Sequence, residues 1–153
     1  MNDDSVAGRV LETVTFPIER GKLYELARAF HESSRAWYDD GAAAEAGFDG
    51  IPVPPTVTAL ADHWRPGGAL GTALALGLDI TRLLHGESSW DYLVPVRAGD
   101  QLTATTHITG STTREGKRGG TMTLITLETE FTNHRGELAI RRRDTLIETG
   151  TSA

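Results

Sequence analysis

The chain is predicted to fold as an α+β domain, an antiparallel sheet wrapped around one long central helix. Three observations predict this. Helix-period apolar patterns are confined to the residues before about Leu78, which are rich in Ala, Gly and Pro. After Leu78 the chain is rich in Thr, Val, Ile and Leu, with period-2 alternation and regularly spaced turn residues. One apolar helix pattern, opened by Pro54-Pro55 and closed by Pro66-Gly67-Gly68, has the character of a segment buried by the sheet.

In chain order, Leu11 to Phe16 alternates as a first strand, ended by Pro17. Leu23, Leu26, Ala27 and Phe30 recur at i, i+3, i+4 and i+7, one face of a helix. A short helix follows around Ala42 to Ala46, stopped by Gly47. Val57, Leu60, Ala61 and Trp64 repeat the helical spacing and predict the central helix over about Pro55 to Trp64. Four strands come next. Trp90, Tyr92, Val94 and Val96 share one face of the first. Leu102, Ala104, Thr106 and Ile108 form the apolar side of the second. Ile125, Leu127, Thr129 and Phe131 line the third, and the fourth runs from about Glu137 to Glu148. Arg97-Ala98-Gly99-Asp100, the 116–120 stretch and Asn133-His134-Arg135-Gly136 are the turns between them.

The length, 153 residues, suits one domain over 1–153, with 1–9 and 149–153 expected as tails. Cysteine is absent, which excludes disulfides and thiolate metal sites and fits a reducing cytoplasm. The net charge of −6 disfavours a nucleic-acid partner, since phosphate binding needs clustered cations. The acidic N-terminus lacks a signal-peptide core. The run Ala69 to Leu78 is too short and too Gly-broken to span a membrane. A cytoplasmic protein is expected. Its five histidines have no ligand spacing, so no metal and no other cofactor is expected.

Four stretches now carry a family resemblance. Phe48 to Thr56 (FDGIPVPPT) resembles the segment leading into the helix of MaoC-like hotdog proteins. Leu83 to Ser88 (LLHGES), Tyr92 to Leu102 (YLVPVRAGDQL) and Thr129 to Leu138 (TEFTNHRGEL) resemble further motifs of the same family in the same order. The likeness covers most of the chain and is nearest to the FAS1-like dehydratase branch. It implies a single hotdog domain and the chemistry of an (R)-specific enoyl-thioester hydratase or 3-hydroxyacyl-thioester dehydratase. The implied partners are an acyl-CoA or acyl-carrier-protein thioester and a second hotdog, as a homodimer or heterodimer.

The family's catalytic signature is D-x-N-P-x-H, whose Asp and His perform general acid–base work. Counted back from Phe48 without gaps, Glu32 falls at the Asp, Ser34 and Arg35 at Asn-Pro, and Trp37 at the His. Indole does not exchange protons near neutral pH. Catalytic members open the helix with a Gly whose N–H can polarise the thioester carbonyl. Pro55 stands there and has no N–H. The resemblance therefore implies a chain that shapes the acyl channel while a partner hotdog supplies the Asp/His dyad.

Each candidate residue also has a plainer reading. Glu32 is either a surviving acid or base, or a solvated carboxylate near a helix end. His85 and Glu87 either face the thioester or form a strand-edge pair held by local hydrogen bonds. Trp37 and Trp64 either line an acyl channel with Pro54, Pro55 and Thr56, or, for Trp64, pack in the core. Arg141-Arg142-Arg143 either meets phosphates or divides between two faces of a strand. Arg114, Lys117 and Arg118 read as a solubilising hairpin. His31-Glu32-Ser33-Ser34-Arg35 lacks the second His of a zinc helix, and Gly116 to Gly120 lacks the P-loop spacing. Three further functions stay open: a self-sufficient homodimeric hydro-lyase using Glu32 or His85, a non-catalytic acyl-thioester binding protein, and a thioesterase.

Overall fold

A computed structural model of the chain describes residues 7–115 and 120–150. Five strands form one antiparallel sheet: β1 (Val10–Pro17), β2 (Leu83–Tyr92), β3 (Gln101–Glu115), β4 (Thr121–Asn133) and β5 (Leu138–Glu148), in the spatial order β1-β3-β4-β5-β2. The last three run as hairpins. β2 does not pair with β3, its sequence neighbour. It crosses to the far edge and pairs with β5, from Leu83 opposite Glu148 to Tyr92 opposite Ile140.

The predicted alternation is sharpest where the sheet is central. Leu102, Ala104, Thr106 and Ile108 on β3 are buried, as are Ile125, Leu127, Thr129 and Phe131 on β4. One face of each strand covers the core, so the pattern in sequence is clean. Phe16 and Phe131 meet edge to face with ring centroids 6.4 Å apart. They belong to the larger apolar cluster, with Ile18, Leu23, Ile51, Val57, Leu60, Leu102 and Ile140. A smaller cluster of Ile108, Ile125 and Leu127 lies farther along the sheet.

Helix α1 (Arg20–Ala29) buries Leu23 and Ala27, as its spacing predicts. α2 (Asp40–Glu45) starts two residues earlier than the Ala run suggests, because Asp39 caps it by accepting the Ala42 N–H at 2.8 Å. The central helix differs more. It is a seven-residue 3₁₀ helix, Val57–His63, rather than an α-helix from Pro55 to Trp64. Val57, Thr58, Leu60 and Ala61 are buried by the sheet as expected. Trp64 is not core: it is 50% exposed. A 3₁₀ turn rises about 2.0 Å per residue instead of about 1.5 Å, so the same seven steps carry Trp64 past the end of the core.

Beyond Trp64 the chain folds back sharply instead of extending the helix. Gly67 and Gly68 both have positive φ (79° and 61°). A 3₁₀ turn, Gly68–Leu70, leads into α3 (Gly71–Ala75). Gly71 packs so tightly on Pro66 that a Cβ there would lie 2.1 Å from the Pro66 carbonyl oxygen.

β2 begins at Leu83, seven residues before Trp90, and ends at Tyr92. Val94 and Val96 therefore lie outside the strand predicted to hold them. Leu93 and Val94 both donate their N–H to the Ala139 carbonyl, at 2.8 and 3.2 Å, and pairing stops there. Val96 is nevertheless buried, and Val94 packs against the same cluster.

Arg141, Arg142 and Arg143 divide between the two faces. Arg141 and Arg143 point outward to Glu128, Glu130 and Asp91. Arg142 points inward to Asp144, 2.7 Å away. Lys117 and Arg118 lie outside the described residues. Among the described residues, no helix is long and apolar enough to cross a membrane.

Candidate functional site

Five of the residues singled out from sequence converge on one cavity. It measures about 310 Å³ and is lined by Leu23, Ala27 and Phe30 of α1, by Glu32 and Trp37, and by Pro54, Pro55 and Thr56. The α1 periodicity supplies the apolar wall: Leu23 and Ala27 form its base, and Phe30, at the helix C-cap, stands 55% exposed at its side. His31 adopts a left-handed conformation (φ 55°), which turns the chain at the end of α1 and leads it into Glu32. Ser34 then caps a short 3₁₀ turn that carries Trp37.

The opposite wall is anchored to the sheet. Tyr92 donates its phenol hydrogen to the Pro55 carbonyl. Burial pushes the Tyr92 phenol above its ordinary value, so it stays protonated and donating at neutral pH. Trp90 Nε1 donates to Thr58 Oγ1 at 3.1 Å, one turn further on. Two side chains of β2 therefore fix where the Pro54–Thr58 segment sits.

Glu32 is the one ionisable side chain among this cavity's lining residues. One of its carboxylate oxygens accepts the Ser33 N–H at 3.0 Å and the Ser34 N–H at 3.4 Å, closing its own turn. Among the described residues no imidazole lines the cavity, and Pro55 offers no N–H. It can take up an apolar chain beside a single carboxylate. A proton-transfer pair is not assembled there.

His85 lies elsewhere, on β2, and the sequence pairing of His85 with Glu87 is not realised. Between His85 and Glu87 the β2–β5 register shifts by one residue at Gly86. Such a bulge reverses which residues share a face. His85 and Ser88 consequently point to the same side, and Glu87 points away and is exposed. Glycine fits closely at this place: a Cβ on Gly86 would come within 2.8 Å of Ile147 Cδ1 and 3.2 Å of the Thr145 carbonyl, so the Ile147 side chain and the neighbouring strand would have to shift.

His85 and Ser88 help to line a second cavity of about 300 Å³, between the Asp62–Ala73 segment and the sheet. His85 Nε2 is 3.1 Å from Ser88 Oγ and 3.4 Å from Asp144 Oδ1. Ser88 donates to Asp144 Oδ1, and Arg142 Nε donates to Asp144 Oδ2 at 2.7 Å. Sequence reasoning missed Asp144 and Arg65 here, and named Arg142 only within the Arg141–Arg143 run. Parity along β5 puts Arg142 and Asp144 on the face of Ile140, and that signal was available. Trp64 lines neither cavity; it borders a shallow one with Pro17, Lys22, Leu60 and His63.

With this geometry in hand, comparison with known proteins decides the family. Residues 5–142 match the model of the FAS1-like, dehydratase domain region. The chain belongs to the FAS1-like dehydratase domain family. A UPF0336 protein of Saccharopolyspora erythraea is 30% identical over 98% of this chain and 93% of that protein. One from Streptomyces griseus is 36% identical over 69% of this chain and 71% of its own length. Among solved structures, the chain resembles the C-terminally truncated HadBC (3R-hydroxyacyl-ACP dehydratase) complex of Mycobacterium tuberculosis. The TM-score is 0.72 at 26% identity, covering 93% of this chain and 96% of that one. A MaoC-like dehydratase shares the fold at TM-score 0.74 and 23% identity, and this chain spans 43% of it. The FAS1-like dehydratase domain described here thus has the hotdog fold.

Proposed function

We propose that this chain is one half of a two-chain (R)-specific enoyl-thioester hydratase or 3-hydroxyacyl-thioester dehydratase. It holds the acyl chain while a partner hotdog supplies the Asp/His dyad. The observation that carries this is the convergence of Glu32, Trp37, Pro54, Pro55 and Thr56 on one apolar cavity that has no proton-transfer pair.

Hydration of an enoyl thioester forms a bond from water oxygen to Cβ and a bond from a proton to Cα. A base takes one proton from the water, and an acid delivers one to Cα. Polarisation of the thioester carbonyl by a fixed N–H lowers the barrier further. Glu32 stands without a second acid or base beside it, Trp37 exchanges no proton, and Pro55 has no N–H to offer. What this chain contributes is an apolar wall that excludes water and orients the acyl chain. The thioester handle is coenzyme A or an acyl carrier protein.

The edge strand β2 suits the partner. Its outer edge is unpaired among the described strands, and Leu84, Trp90 and Tyr92 on it are exposed. An exposed apolar edge is a surface for adding another sheet.

The test is to purify the chain alone and together with a hotdog protein carrying an intact D-x-N-P-x-H. Hydration of crotonyl- and longer enoyl-coenzyme A is then assayed. Activity is expected from the pair and not from the chain alone. It is expected to vanish when the partner's Asp or His is changed. A robust kcat from the isolated chain that collapses in Glu32→Gln or His85→Ala would assign the chemistry here instead.

A further inference from the structure

The two walls of the cavity beside α1 differ in firmness. The α1 wall belongs to the core, since Leu23 and Ala27 are buried. The other wall is the turn Pro54–Thr56, which is anchored firmly only at its flanks. Before it, Ile51 is buried and its carbonyl accepts the Ala98 N–H at 3.0 Å. After it, Val57 and Thr58 are buried at the start of the 3₁₀ helix. Pro54 is still covered, but Pro55 and Thr56 are exposed. Pro52, Pro54 and Pro55 have no N–H, so this stretch has few donors with which to bind itself to a neighbouring strand.

The Pro55 carbonyl is where the turn is tied down. Among the described residues, the donor that reaches it is the Tyr92 hydroxyl. The anchor itself is held firmly. Tyr92 ends β2 opposite the fully buried Ile140, and its neighbour Asp91 pairs with Arg143 at 2.9 Å. The Tyr92 ring is half exposed and borders an open cavity of about 610 Å³ that Phe48 and Leu93 also line. Packing contributes little to holding this ring against the turn, so the tie is the hydroxyl. The companion bond from Trp90 ends on Thr58, which burial already fixes.

We infer that Tyr92 is a positioning residue for the cavity beside α1: its hydroxyl sets the gap between the Pro54–Thr56 turn and α1, and with it the preference for long acyl chains over short ones. This rests on the acyl-binding role proposed for that cavity. A chain lying between two walls is held by many weak contacts, and a gap of about 0.5–1 Å forfeits roughly a quarter to a half of each. The loss grows with the length of chain in contact. A butanoyl group loses little and an octanoyl group loses much. The coenzyme A handle is common to both and cancels in the comparison.

Tyr92→Phe keeps the ring and removes the hydroxyl. The two-chain complex, wild type and variant, is titrated with butanoyl- and octanoyl-coenzyme A in a calorimeter, and this chain alone is unfolded in urea. Octanoyl-coenzyme A is expected to bind about 5-fold more weakly to the variant, and butanoyl-coenzyme A less than about 2-fold more weakly. Pro55 is exposed, so water replaces the lost donor and the urea midpoint stays nearly unchanged. In turnover, KM for octenoyl-coenzyme A should rise with kcat unchanged, the mark of contacts made equally in the ground and transition states. Unchanged octanoyl affinity, an equal loss for both thioesters, a lowered urea midpoint or a variant that no longer joins its partner would each overturn the inference and leave the acyl role standing. A wild-type chain that forms no such complex, or a complex that binds octanoyl-coenzyme A no more tightly than butanoyl-coenzyme A, overturns the acyl role and the inference with it.

Discussion

The two cavities are nearly equal in size and opposite in construction. The one beside α1 is walled by Leu23, Ala27, Phe30, Trp37 and three residues of the Pro54–Thr56 turn, with Glu32 at its margin. The one over the sheet is crossed by ion pairs through Arg65, Arg142 and Asp144. The first rests on the core residues Leu23 and Ala27, but its other walls, Phe30 and Trp37 among them, hold no hydrogen-bond network together and can be changed with less consequence for folding. The second is built from groups that hold each other, so chemistry and stability cannot be separated there.

The largest expected effect belongs to the first cavity. With its partner present, the complex should turn over enoyl thioesters about 10²–10⁴-fold faster than this chain alone, the usual worth of general acid–base catalysis. Steady-state rates at matched concentrations would measure it, and equal rates would dissolve the division of labour between the two chains.

On the other side of the comparison, Gly71→Ala should lose about 3 kcal/mol of stability in urea titration, because its Cβ would collide with the Pro66 carbonyl. Arg65→Ala should lose about 2–3 kcal/mol by stranding Glu12 and Asp62, both of which keep some solvent. A loss below about 1 kcal/mol for both would mean that the second cavity is not the rigid one.

Trp37→Leu sharpens the contrast. It should change stability by less than about 1 kcal/mol yet weaken octanoyl-coenzyme A binding to the two-chain complex about 10-fold, by removing apolar wall area. Calorimetry on the complex reads both quantities.

The smallest effect is a pH dependence. Hydrogen bonds from Thr81 and Arg82 lower the Asp79 carboxyl from 3.8 to about 2. A carboxyl lowered in the folded state contributes stability above its unfolded value and loses it as pH falls through the folded one. Asp79→Asn should therefore lower stability in the neutral region and flatten the decline between about pH 4 and pH 2, so that the two proteins converge at the acid end, as followed by thermal unfolding across pH.

What was legible in the sequence follows the same physics. β3 and β4 are central strands with one buried face, so Leu102 to Ile108 and Ile125 to Phe131 could be read directly. α1 was equally plain. The cavity residues Glu32, Trp37, Pro54, Pro55 and Thr56 came from motif counting, not from periodicity. Three features were hidden. The 3₁₀ character of Val57–His63 leaves the same residues buried as an α-helix would, until Trp64. β2 is an edge strand of Ser, Gly and His whose apolar signal is too weak to mark its start at Leu83. Its crossing to β5 depends on long-range pairing that local pattern does not encode.

The bulge at Gly86 makes the facing of this strand depend on one unpaired residue. A related protein that lacks one residue here would run a regular ladder, with His85 still opposite Leu146 and Ser88 still opposite Asp144. Straightening the bulge with Gly86 kept would instead turn Leu84 inward in the place of His85, and an oily wall would replace a polar one. When relatives are aligned, a one-residue gap in this segment therefore leaves the wall of the second cavity as it is, and a substitution that irons out the bulge does not.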